Sequence, residues 1–299
     1  MTGGGGWRSP AVAAWEAAGS YRDLAGHRIF VVDLPPGSAA AAEPLLVVHG
    51  FPTSSFDFHR VAPALAADRR VVLVDLLGFG LSAKPDLAYT VDRQADVVAA
   101  LTGELGLREL ALLTHDMGDT VGGELLARQL EGRWPVEVTR RVLTNGSVYI
   151  GMAHLNPGQQ LLLDLPDERL PEGAPVGEEG MTASLAATAG PTTPLSAEDL
   201  AAMWELVAHD GGHLLLPRLV RYIDERRRRE RRFTGAIEEH PSPLTVVWGD
   251  ADPIAVAPMV DRLLEARPDV TVRMLAGVGH FPMLEAPGAL LDAVRPALA

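Results

Sequence analysis

Asp116 lies in the run Thr114-His115-Asp116-Met117-Gly118-Asp119, between the apolar stretch Leu110-Ala111-Leu112-Leu113 and a helix-forming stretch from Thr120. An apolar strand that turns sharply into a helix is the setting in which many hydrolases hold a nucleophilic serine, in the pattern G-x-S-x-G. Here the central place carries a carboxylate. A serine would imply acyl transfer from esters or amides. An aspartate implies displacement at a saturated carbon, as in an epoxide or an alkyl halide, through an alkyl-enzyme ester.

Two further polar side chains follow strand-like runs. Asp252 stands in Trp248-Gly249-Asp250-Ala251-Asp252-Pro253-Ile254, and His280 in Gly277-Val278-Gly279-His280-Phe281-Pro282. Singly these are weak signals, since aspartates in turns and histidines in loops are common. The chain order Asp116, Asp252, His280 matches nucleophile, acid and histidine. A fourth stretch, His49-Gly50-Phe51-Pro52-Thr53-Ser54-Ser55, also follows a strand-like run. Its Phe51 N–H, paired with the N–H of Met117, is expected to form an oxyanion hole.

These residues need a scaffold that brings strand ends together. Short continuous apolar runs at 28–33, 45–48, 71–75, 110–114 and 142–145 alternate with helical stretches at 91–105 and 120–131. Such runs suit strands buried on both faces of a mostly parallel sheet flanked by helices. From 146 to 240 no strand pattern appears. A helix is expected from Ser196, which can cap it with Asp199 three residues on, to Gly211-Gly212, and another over 214–232. Strand patterns resume at 244–248 and 271–275, and a helix closes the chain from Pro287. The fold class is therefore α/β, with residues 1–146 and 240–299 as the core and 147–239 as an inserted helical lid. The glycine run 3–6 and the alanine run 39–42 are expected as a terminus and a loop.

Composition narrows the function classes. A chain of 299 residues with 47% hydrophobic content can bury roughly three quarters of its unfolded surface, so it folds around a substantial core. Net charge of −13 argues against a nucleic-acid backbone as partner. The absence of cysteine removes disulfides and thiolate chemistry. The start of the chain lacks a secretory pattern, and no window reaches the roughly 18 apolar residues of a membrane span, so a cytoplasmic protein without membrane partners is expected. His209 and His213 have metal-like spacing but no further ligands nearby, so no metal is implied. Arginines 226–229 with Arg231 and Arg232 read as a solvated helix face. Oligomeric state is not encoded in any readable pattern.

The segments H-G-F-P-T-S-S, D-L-L-G-F-G-L-S-A-K-P, H-D-M-G-D, G-D-A-D-P and G-H-F-P-M-L-E-A-P together resemble the epoxide hydrolase and haloalkane dehalogenase branch of the α/β-hydrolases. Within it the chain is most similar to proteins related to the mesoderm-specific transcript protein, through Asp119, Met203-Trp204, Asp210-Gly211 and Arg221-Tyr222-Ile223. The resemblance implies the α/β-hydrolase fold with a cap and no cofactor. It also implies Asp116 as nucleophile, Asp252 as acid and His280 as base toward water.

The leaving group depends on the lid. An epoxide oxygen needs an acidic O–H nearby, and tyrosine supplies one while keeping its proton at neutral pH. Tyr222, on a stripe with Leu215 and Leu219 and 30 residues before Asp252, stands where epoxide hydrolases carry a lid tyrosine. Tyr149, His154 and Trp204 are expected to line the substrate pocket. A halide needs N–H donors, which dehalogenases take from tryptophan after the nucleophile; Met117 and Phe51 offer no such side chain, though Trp204 stays available. Hydrolysis of a small apolar epoxide with water is the leading expectation. An alkyl halide is the alternative substrate, and a non-catalytic receptor or scaffold the alternative from another class.

Overall fold

A computed structural model describes residues 6–38 and 42–299. Eight strands pair into one sheet, the central ones rich in Val and Leu: β1 (Gly19–Leu24), β2 (His27–Leu34), β3 (Ala42–Val48), β4 (Arg69–Val74), β5 (Glu109–His115), β6 (Glu137–Thr144), β7 (Leu244–Gly249) and β8 (Thr271–Leu275). Their spatial order is β1-β2-β4-β3-β5-β6-β7-β8. The pairs β1/β2 and β2/β4 are antiparallel, and every other pair is parallel. With its flanking helices and the helical insertion between β6 and β7, this is the α/β-hydrolase fold. Residues 45–48, 71–74 and 110–113 are buried throughout because helices cover both faces of the sheet. One apolar layer holds Val97, Leu101 and Leu125, and the other Phe56, Phe58 and Val294.

The order places the chemistry. From β3 the chain moves outward to β4, then returns to the other side of β3 as β5. The carboxyl ends of β3 and β5 therefore adjoin at the point where the strand order reverses, where open sheets of this kind bind ligands. The Phe51 turn leaves β3 and Asp116 leaves β5, so residues 65 apart in sequence become neighbours. Two glycines permit the approach. A Cβ on Gly50 would lie 2.6 Å from Asp116 Cβ, and one on Gly118 would lie 2.2 Å from Val48 O.

Several expectations change. A helix (Pro10–Ala18) and the edge strand β1 precede the first expected strand. The pattern at 19–24 is half-exposed and polar, so it carries no continuous apolar run. In the insertion the helix expected from Ser196 is present as Ala197–Ala208, with Asp199 N–H donating to Ser196 Oγ at 3.0 Å. The helix expected over 214–232 is broken. Asp210 and Gly211 sit at φ 50° and 72°, and a tight turn of helix (His209–Leu215) leads to Leu216–Leu219. A separate helix, Tyr222–Glu239, then bends at Arg229 and continues past 232. It continues because Phe233, Ala236 and Ile237 are buried apolar residues on the face toward the core.

The arginine run is accordingly not a uniformly solvated face. Arg226 is buried, and Arg229 and Arg232 pair with Glu124, a fully buried carboxylate on the core helix Met117–Leu130. Arg229 also pairs with Asp92. Only Gly6 of the glycine run and Ala42 of the alanine run fall within the described residues, so the expectations for those runs lie outside them. Among the described residues no helix is long and apolar enough to cross a membrane.

Candidate active site

Asp116 caps the helix Met117–Leu130 from a backbone at φ 50° and ψ −111°. Such a conformation costs a non-glycine residue free energy and persists only where surrounding bonds fix it. Here Asp116 N–H donates to Thr144 O (3.3 Å), and Asp116 O accepts from Asp119 N–H (3.1 Å). The turn thrusts the side chain off the sheet edge. Its Oδ2 accepts the Phe51 N–H at 2.9 Å. The Met117 N–H, at the start of the helix, points out of its first turn and favours a negative charge.

The Phe51 turn is itself braced by a buried residue that sequence reasoning passed over. Leu76 N–H donates to His49 Nε2 (3.0 Å), and His49 Nδ1 lies 2.8 Å from Gly50 O. Those partners require the proton on Nδ1. Burial lowers the basicity of His49, so it stays neutral.

On the far side of β5, His280 Nδ1 lies 2.8 Å from Asp252 Oδ2. Asp252 is further held by Asn145 Nδ2 at 2.9 Å, Ile254 N–H at 2.8 Å and Ala255 N–H at 3.1 Å. Asn145, at φ 45°, also accepts Gly249 N–H at 2.9 Å and so ties the end of β6 to the acid loop. It appears in the sequence only as the last residue of an apolar run, with no signal of this role. The histidine loop is fastened by Glu285, which accepts N–H groups from Gly279 (2.7 Å), Phe281 (2.8 Å) and Gly190 (2.8 Å). Burial by itself would lower the His280 pKa. The charge and hydrogen bond of Asp252, then Asp116 and Glu285, outweigh it and lift the value to about 9. At neutral pH His280 is a cation between two carboxylates.

Two more carboxyls lie beneath this group. Asp119 accepts a hydrogen bond from Thr114, and Asp57 accepts one from Thr53 at 2.5 Å. Burial pushes both up to about 8, so both are neutral acids at neutral pH.

The cap closes the site from above. Tyr222 is buried, with its ring centroid 5.7 Å from that of Phe51. Burial first, and then the charge of Asp116, raise its pKa well above the ordinary value, so the phenol keeps its proton. A cavity of about 220 Å³ lies between cap and core. His280, Phe51 and Phe281 form part of its wall, facing Leu162, Met181 and Leu216 from the cap. The expected pocket residues do not line it. Tyr149 turns its hydroxyl to Glu238 Oε1 (2.8 Å) on the long cap helix. His154 is exposed, and its backbone N–H donates to Ile254 O. Trp204 packs on His213, ring centroids 5.6 Å apart, within the cap. Cap helices Pro157–Asp164 and Glu178–Ala186 supply the wall instead.

Residues 45–293 match the Alpha/beta hydrolase family. The chain is 38% identical to the hydrolase LipZ of Mycobacterium tuberculosis, over 95% of this chain and 97% of that protein. It is 32% identical to the mesoderm-specific transcript protein of Mus musculus, over 95% and 87%. Among solved structures, Cfl2 of Burkholderia cenocepacia superposes with a TM-score of 0.73 at 26% identity, covering 94% of this chain and 95% of that one. More distant likenesses include a lipase, haloalkane dehalogenases and an epoxide hydrolase, so the similarities span several branches and single out none. The expectation of one particular branch is thus coarsened to the family.

Proposed function

The chain belongs to the α/β-hydrolase family, and from that premise we propose that it hydrolyses epoxides to vicinal diols with Asp116 as nucleophile. The observation that carries this reading is the Asp116 side chain on the strained turn, with Oδ2 bound to the Phe51 N–H and Oδ1 left to attack. Serine at that place would direct the fold to esters; a carboxylate there directs it to carbon.

The steps balance with the residues present. Asp116 Oδ1 attacks an epoxide carbon, the C–O bond breaks, and the Tyr222 phenol protonates the leaving oxygen. The alkyl ester carries no charge on Asp116, which removes one of the influences that raise His280. The imidazolium then returns a proton to the Tyr222 phenolate through water. Neutral His280, oriented by Asp252, takes a proton from a second water that attacks the Asp116 carboxyl carbon. The oxyanion forms on Oδ2, already at hydrogen-bond distance from Phe51 N–H and near the Met117 N–H. On collapse the proton of the added hydroxyl passes to the leaving alkoxide, which departs as the diol; the carboxylate is restored and His280 stays an imidazolium, so no proton is taken from bulk solvent over the cycle.

Haloalkane hydrolysis is the second reading, favoured by a 34% identity to a haloalkane dehalogenase over 115 residues. It needs N–H donors for the halide, and Trp204, the lid tryptophan in question, packs inside the cap. A panel of styrene oxide, 1,2-epoxyhexane, 1-bromobutane and p-nitrophenyl acetate separates the readings. Diol formation from the epoxides should lead and vanish in Asp116→Asn. Faster bromide release than diol formation would overturn the assignment.

A further inference from the structure

Arg226 lies one helical turn beyond Tyr222 and shares its face. Unlike Arg229 and Arg232, it points inward and is 2% exposed. Its Nε donates to Thr120 Oγ1 at 2.7 Å, and one terminal nitrogen donates to the same oxygen and to the Asp116 carbonyl at 3.2 Å. The guanidinium carbon stands 5.1 Å from the centroid of the Tyr222 ring. Among the described residues it makes no carboxylate ion pair. A buried guanidinium without a counterion is costly, and a single removed partner normally destabilises by several kcal/mol.

Two titratable groups feel its charge. Burial raises the Asp119 carboxyl on the core helix to about 8, against the pull of Arg226. Burial and then the charge of Asp116 raise the Tyr222 phenol on the same cap helix, again against Arg226. Its contact with the nucleophile is through the Asp116 carbonyl, so the guanidinium grips the backbone of the strained turn and the side chain of the first helical turn together.

We propose that Arg226 is a positioning residue that docks the cap helix on the nucleophile turn and holds Tyr222 over the site. This rests on Asp116 being the nucleophile. It also explains why cap and core are one device here: Tyr222 and Arg226 leave the site together if the helix lifts.

The test follows the alkyl-enzyme ester with styrene oxide by quenched-flow mass spectrometry. Arg226→Met fills the volume without the donors, and Arg226→Lys keeps a charged donor. Arg226→Met should cost most of the roughly 100-fold that loss of the Tyr222 acid costs, and should add little in a Tyr222→Phe background. Arg226→Lys should recover most of the wild-type rate. Should the Met variant not fold, Arg226→Gln, which keeps a hydrogen bond to Thr120, is read the same way. Full additivity of Arg226→Met with Tyr222→Phe, or equal rates for Lys and Met, would overturn the proposal. If wild type forms no ester on Asp116, the nucleophile assignment falls and this inference with it. If it does and the two substitutions are additive, the inference alone falls.

Discussion

Replacing His280 by Gln should change how stability depends on pH, by an amount that follows from the structure. The His280 pKa rises from an ordinary 6.5 to about 9 because Asp252 and Asp116 outweigh its burial. At 1.36 kcal/mol per pKa unit, that corresponds to about 3 kcal/mol of stabilisation of the folded, protonated form. The sign is that of a raised base. The contribution is complete below pH 6.5 and is lost as pH rises through about 9. His280 is fully enclosed, so solvent screening takes little from it. Urea unfolding at pH 6 and at pH 10, on wild type and His280→Gln, isolates this residue from other titrating groups. Wild type should lose about 3 kcal/mol more than the variant between those two values. Asp252→Asn should show most of the same flattening, since Asp252 supplies both the largest opposing charge and the hydrogen bond. Parallel pH dependences in wild type and His280→Gln would refute the ion triplet.

Asn145→Ala should cost about 1–3 kcal/mol of stability, because it leaves Gly249 N–H and one lone pair of Asp252 without their partner. It should also lower kcat, with calorimetry and steady-state rates as the checks. Tyr222→Phe should slow epoxide opening by about 100-fold, the scale of a lost general acid, while any residual haloalkane activity is spared; equal loss on both substrates would contradict its role. Burial holds the Asp119 carboxyl protonated up to about pH 8, so its burial becomes costlier as pH rises from 3.8 toward that value. Asp119→Asn removes that cost and should melt above wild type at pH 8 but not at pH 4.

The parts of this molecule that the sequence revealed share one property: a short apolar run followed by turn residues. That pattern located β3, β5, β7 and β8, and with them Asp116, Asp252, His280 and the Phe51 turn, because each side chain needs only to follow a strand end. Strand adjacency was not readable, yet it is what sets Phe51 N–H against Asp116. The parts that stayed hidden act across long sequence distances from ordinary contexts. Asn145 ends an apolar run 107 residues before the carboxylate it holds. Arg226 sits among six arginines and differs from them only in facing inward. The pocket wall comes from helices at Pro157–Asp164 and Glu178–Ala186, whose Gly-, Pro- and Glu-rich surroundings gave no periodic stripe. Tyr149 and Trp204, expected on the wall, are each committed to a partner elsewhere.

Oxygen-18 labelling of Asp116 tests the account most directly. Multiple turnovers of styrene oxide in labelled water, followed by digestion and mass spectrometry, should place the isotope in the peptide that carries Asp116. In a single turnover the water oxygen should enter the enzyme and the diol should stay unlabelled. A labelled diol with an unlabelled Asp116 would mean that water attacks the substrate directly, and the covalent ester would have to be abandoned.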